Sequence, residues 1–275
     1  MSTAVTSHPP ATTTTTATEP ILLRSDAGGV VTLTLNRPKA YNALSGDMLA
    51  ALQSALEAIE HDPAARVVVI AANGPAFCAG HDLKEMRAHP RKDFYDALFA
   101  QCSRFMLTIS RIPQPVIARV HGIATAAGCQ LVATCDLAVC SDNAKFATSG
   151  INVGLFCSTP AVALSRNLSR KRAMEMLLTG DFIDAATARD FGLVNRVVPV
   201  DALDAEVANL ANAIVAKSRV AIATGKRMFY PQLEVGLAEA YAQAADAMAC
   251  NMMAEDAGEG IDAFIEKRPA RFTGR

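Results

Sequence analysis

The sequence predicts an α/β fold that closes in a wholly helical last third, and three observations carry that expectation. Apolar runs of strand type at 66–72 and 115–120 each lead through a turn of small residues into helical spacing. Ahead of them, two short strands flank Ala27-Gly28-Gly29, a hairpin signal. From Asp201 to about Lys267 the pattern is helical throughout, with Pro231 as its main break.

Taken in order, residues 1–20 (MSTAVTSHPPATTTTTATEP) hold almost no large apolar side chains. Such a segment buries too little surface to offset its ordering entropy, so a disordered tail is expected. Ile21 to Asn36 carries the hairpin, with Val31, Leu33 and Leu35 turned inward. Pro38 then stops the sheet, and Ser45 caps a helix to about Glu60 whose apolar face is Met48, Leu49, Leu52, Leu56 and Ile59. The strand at 66–72 runs through Asn73-Gly74-Pro75 towards a helix starting near Asp82, an N-cap residue type. A helix from about Phe94 to Ile109 follows, and then the strand at 115–120 with a helix from Ala126. Strands are expected at 136–141 and 145–147, and a short helix after Gly150 and Gly154. Helices at 170–178 and 184–191 end on the C-cap glycines Gly180 and Gly192, and 193–199 is strand-like. The chain thus divides into a tail (1–20), an α/β core (21–200) and a helical C-terminal region (201–275).

Composition narrows the function classes. The chain has 275 residues, enough for a sizeable core, and its 26 basic and 27 acidic residues leave a net charge of −1. That balance gives no footprint for nucleic acid or an anionic membrane. No apolar run reaches membrane-span length, and no basic segment followed by an apolar one opens the chain. Seven cysteines, odd in number and without C-x-x-C spacing, read as reduced core thiols of a cytosolic protein. Five scattered histidines form no metal-binding pattern, so no metal is expected.

The chemistry concentrates in PVIARVHGIATAAGCQLVATCD, residues 115–136. A helix that begins on Ala-Ala-Gly presents unpaired N–H groups with no bulky side chain in the way. Such a terminus can stabilise the oxyanion that develops on a polarised carbonyl, or the small residues can simply allow close packing. AFCAGHDLKEM, residues 76–86, repeats the pattern, so two units of this kind can aim two amides at one point.

These two segments resemble the paired oxyanion-hole signatures of the crotonase, or enoyl-CoA hydratase/isomerase, superfamily. NRPKAYNAL (36–44), TGDFIDAATARDFGLVNRVVP (179–199) and the ending GIDAFIEKRPARF resemble its other signatures, in the same order, over nearly everything from Ile21 onward. GHDLKEM, Gln130 and LFCSTPAVAL followed by RKRAMEMLLTG look most like the enoyl-CoA hydratase domain-containing subgroup. The resemblance implies a spiral of strand-strand-helix units with a helical C-terminal oligomerisation region, assembled as a homotrimer or hexamer. It implies an acyl-CoA thioester substrate and no separate cofactor, since CoA is part of that substrate.

Carried over residue by residue, the oxyanion donors are the amides of His81 and Ala127, with Gly80 and Gly128 giving room beside them. Ala79, Asp82 and Leu83 fall in the same substrate-binding segment, and Lys84 and Lys267 match positions near the nucleotide end of CoA. Hydratases of the family use two glutamates flanking a water; the matching positions here are Gln130 and Gly150. Gln130 can hold a water but cannot take its proton at neutral pH, and Gly150 can do neither. The His81 imidazole either enters the chemistry or turns aside to a neighbour. The expected function is therefore acyl-CoA processing with altered acid–base chemistry. Hydrolysis, decarboxylation, isomerisation or acyl-CoA binding without catalysis stand as alternatives.

Overall fold

The computed structural model describes residues 19–275. The expected tail therefore lies, apart from Glu19 and Pro20, outside the described residues. The hairpin of β1 (Leu22–Ala27) and β2 (Val30–Leu35) opens the fold and is followed by α1 (Gly46–Glu60). Ser45 caps α1 by accepting from the Met48 amide, and the five apolar residues read from the sequence are all buried. Next come β3 (Val67–Ala72), β4 (Ala76–Cys78), α2 (Leu83–Ala88) and α3 (Lys92–Arg111). The second turn of the spiral is β5 (Val116–Val120), β6 (Ile123–Thr125) and α4 (Ala127–Thr134), and the third is β7 (Leu137–Ser141), β8 (Lys145–Ala147) and α5 (Ser158–Asn167). Then follow α6 (Arg170–Thr179), β9 (Ile183–Asp184), α7 (Ala185–Phe191) and β10 (Arg196–Val198). The chain ends with α8 (Leu203–Val215), α9 (Arg219–Gln232), α10 (Leu237–Met252) and α11 (Glu255–Ile265).

Two sheets result. The larger has the order β1-β2-β3-β5-β7-β10, parallel except for the β1–β2 hairpin. The smaller, β4-β6-β8-β9, collects the short strand that each of the three turns adds after its long one, with β9 joined antiparallel to β8 at its edge. This is the expected strand-strand-helix spiral. The sequence reading missed β4, β6 and β9, strands of two or three residues that show no period, although β8, equally short, was expected at 145–147.

Strand β3 is buried along its whole length, as a central parallel strand must be. Val68 and Ile70 face the main core with Phe77, Phe105 and Phe146. Val67 and Val69 face the opposite side, where Leu203, Val207 and Ala211 of α8 cover them. Pro231 lies inside α9, one residue before its end, so the break expected there falls just after the proline. In contrast to α8, helices α9 and α10 bury no residue completely, and Leu237, Tyr241, Met248 and Met253 stand exposed.

Candidate functional site

The smaller sheet brings the two signature turns together. Strand β4 pairs in parallel with β6, Ala76 opposite Ile123 and Cys78 opposite Ala124, so the segments that follow them emerge side by side. The approach is close. A Cβ at Gly128 would sit 2.1 Å from the Cys78 carbonyl oxygen, and one at Gly80 would sit 2.8 Å from the Ala126 methyl and 3.1 Å from the Ala127 nitrogen. Gly80 also holds φ at +90°, which side chains other than hydrogen resist.

Two main-chain donors are left free where the turns meet. Around His81, Leu44 donates to the Gly80 carbonyl and Asp82 donates to that of Leu44, so the intervening His81 N–H points away from this pairing. Ala127 is the first residue of α4, where no intrahelical acceptor exists, and no side chain caps that end. Neither N–H has a partner among the described residues. Ala126, just before it, adopts φ 51° and ψ −120°, a backbone state costly for any residue with a Cβ.

The first turn is braced by side chains. Asp82 caps α2, one carboxylate oxygen accepting from the amides of Lys84 and Glu85 and the other from Arg37 at 3.0 Å. Burial pushes this carboxyl up, but the Arg37 hydrogen bond and charge and the two helix amides outweigh it and hold the group below its ordinary value. Arg37 also donates to the Ala43 carbonyl. Asn42, fully buried, donates to the carbonyls of Asn73 and Ala76 while accepting from the Arg37 amide. Arg37 and Asn42 lie in the NRPKAYNAL segment and were assigned no role from sequence. Asn42 and Tyr41 both have positive φ, which the Tyr-Asn pair hints at only weakly.

Gln130 is buried on the first turns of α4 and its Oε1 has no partner. The neighbouring thiol of Cys129 is pushed up to about 12 by burial, which makes it inert rather than nucleophilic. Gly150 lies in a 3-10 turn whose carbonyl accepts from Leu155 at 2.9 Å. The space beside it is filled: a Cβ there would be 2.6 Å from the Leu155 carbonyl oxygen and 2.8 Å from the Cys157 Sγ. Ala79 is half-buried, and Leu83 and Lys84 are exposed on α2. Lys267 follows α11, which packs on α9 and α10.

Six of the seven cysteines are buried and all are free thiols, Cys250 on α10 being exposed rather than in the core. No cluster of metal-ligating side chains occurs among the described residues, and no helix is long and apolar enough to cross a membrane.

Comparison with known proteins agrees with this architecture. The enoyl-CoA hydratase/isomerase family model matches residues 25–275. The rat protein named "Enoyl-CoA hydratase domain-containing protein 3, mitochondrial" is 47% identical over 240 residues, 87% of this chain and 80% of the rat protein. A crystal structure of an enoyl-CoA hydratase from Mycobacterium smegmatis is 60% identical with a TM-score of 0.91, covering 92% of this chain and 99% of that one. The human enoyl-CoA hydratase domain-containing protein 3 structure is 44% identical with a TM-score of 0.90, covering 92% and 100%.

The cytosolic location expected from the cysteines is overturned by the vertebrate relatives, which are named as mitochondrial proteins. Free thiols do not single out the cytosol. A match spanning residues 25–275, relatives near half identity and a shared spiral fold place the chain in the enoyl-CoA hydratase/isomerase family, the crotonase superfamily.

Proposed function

We propose that the protein binds an acyl-CoA thioester and polarises its carbonyl between the N–H groups of His81 and Ala127. The observation that carries this is the meeting of two unbonded amides from separate strand-turn-helix units, held together by the Gly80 and Gly128 contacts. Preorganised donors of this kind act where negative charge develops, at no reorganisation cost during the reaction. Ala79, Gly80, Leu83 and Gly128 then form the wall around the thioester. Asp82 supports that wall as a cap, and Lys84 and Lys267 supply cations for the phosphates of CoA. Gln130 and Gly150 occupy the two acid–base positions without a titratable group. CoA enters as substrate, and no further cofactor is required.

Hydration by the two-carboxylate route is disfavoured in this site. Each missing acid or base costs a factor of about 10² to 10⁴, and the filled space at Gly150 leaves no room to restore one. That closure favours, as second reading, another thioester reaction or acyl-CoA binding without turnover. The exposed apolar side chains of α10, with Phe264 and Ile265 at the end of α11, support assembly as a homotrimer or a pair of trimers.

The experiment is infrared spectroscopy of bound crotonyl-CoA, beside its turnover. Wild-type protein is expected to bind the thioester and lower its carbonyl stretching frequency, with slow or no hydration. Ala127→Pro, at a helix position that tolerates proline, should bind without the shift. An unshifted carbonyl in the wild type removes the oxyanion reading.

A further inference from the structure

The direction of the Ala127 N–H is set by an unusual main-chain state one residue earlier. Ala126 holds φ 51° and ψ −120°. At that φ the region open to a residue with a Cβ is the left-handed one, with ψ of about +47°. Moving there turns the peptide unit between Ala126 and Ala127 through roughly 170°. That unit carries the Ala127 N–H and the Ala126 carbonyl. In the observed orientation the carbonyl accepts from the Gln130 amide at 3.0 Å, while the Ala126 N–H donates to the Ala147 carbonyl at 3.0 Å. A strained state of this kind persists only where the surroundings over-determine it.

Close packing sets where the turn lies, but Ala126, Ala127 and Gly128 have no side chain that can hydrogen-bond and so hold one peptide unit against rotation. Thr125 has one. Its hydroxyl, on a residue only 9% exposed, shares a 2.7 Å hydrogen bond with the Ser149 Oγ. The bond begins where the sheet stops, since β6 and β8 pair as far as Thr125 opposite Ala147. Ser149 opens the 3-10 turn Ser149–Val153, and that turn is fastened to α6 and its cap. The fully buried Thr148 donates its hydroxyl to the Met176 carbonyl at 2.6 Å, and Asn152 donates to the Gly180 carbonyl at 3.4 Å. Thr125 is thereby tied to a point outside its own strand-turn-helix unit. Rotation of the strained unit needs the chain on either side of it to shift, and the bridge holds the residue just before it.

We propose that Thr125 and Ser149 are positioning residues for the Ala127 donor, their hydroxyl bridge keeping the Ala126–Ala127 peptide unit in its strained orientation. The proposal rests on the acyl-CoA reading above and adds two residues to it, neither of which needs to touch the thioester. Without the bridge the unit relaxes towards the left-handed state and the Ala127 N–H turns away. The place of the turn, set by the Gly80 and Gly128 contacts, stays as it was. Polarisation of the carbonyl is lost before binding is.

The test is infrared spectroscopy of crotonyl-CoA bound to the intact protein, with calorimetric binding and thermal melting beside it, in Thr125→Val, Ser149→Ala, the double variant and Thr125→Ser. Either bridge-breaking variant is expected to bind the thioester yet lose most of the wild-type carbonyl shift. The double variant should lose no more than either alone, because the two share one contact. Thr125→Ser keeps a hydroxyl and should keep the shift. An unchanged shift in Thr125→Val or Ser149→Ala overturns the positioning role. So does a Thr125→Ser protein that loses as much as Thr125→Val, which traces the effect to packing. Variants that neither melt cooperatively nor bind assign the bridge to stability alone and also overturn it. A wild type that fails to bind, or binds with its carbonyl unshifted, removes the oxyanion reading itself and the proposal with it, a result told apart because no variant is needed to see it.

Discussion

The two turns that supply the candidate donors reach similar ends by different means. The His81 turn is held by a polar network: Arg37, Asn42 and Asp82 satisfy one another and the surrounding main chain at 2.8 to 3.0 Å. The Ala127 turn has no side-chain cap and relies on contact, with Gly128 pressed on the Cys78 carbonyl and Ala126 forced to positive φ. Hydrogen bonds position the first turn, and close packing positions the second. Away from Gly80, which faces the second turn, the first turn should therefore tolerate changes of volume better than the second, and the second changes of polarity better than the first.

The largest expected effect tests the packing side. Gly128→Ala should lower stability by about 3 kcal/mol in denaturant unfolding, the upper range for overpacking. Helix propensity alone would favour alanine by about 1 kcal/mol, so the sign of the change shows which effect dominates. A stable Gly128→Ala protein would mean that the approach of the turns is looser than 2.1 Å implies.

A smaller loss is expected from the polar side. Asp82→Ala removes a cap and leaves Arg37 half-buried without its partner, costing about 2 kcal/mol near pH 7. Because the folded carboxyl lies below its ordinary value, its contribution is complete above the unfolded pKa of about 3.9 and disappears as pH falls through the folded one. Thermal unfolding of both proteins at neutral pH and at about pH 2 should therefore show a gap that narrows in acid. A gap that is constant with pH would assign the loss to packing.

Smallest, and of opposite sign, is Ala126→Gly. Relief of the strained backbone outweighs the extra entropy of the unfolded glycine, for a gain of about 1 kcal/mol. Melting that is unchanged or lower would show that the φ of 51° carries little strain.

The contrast also explains what could be read from the chain alone. Asp82 and Ser45 announced themselves as caps because a cap is local: residue type and position suffice. The long strands and the glycines of the second turn were legible for the same reason. The brace was not, since Arg37 reaches Asp82 across 45 positions and Asn42 reaches Ala76 across 34, and no spacing rule links them. Nor was the side of the site at Gly150. The family resemblance implies a carboxylate position at Gly150, but only the fold shows that the Leu155 carbonyl and the Cys157 sulfur occupy the space beside it.

The hydrogen bond from Leu155 to the Gly150 carbonyl bears on how this chain can change over generations. A glutamate at position 150 is not one mutation away in any useful sense, because the side chain meets main chain before it meets solvent or substrate. The loop from Gly150 to Cys157 would have to open first, and opening it brings no benefit until the carboxylate arrives. A carboxylate at this position therefore lies across a valley from the present sequence, whichever reaction the site performs.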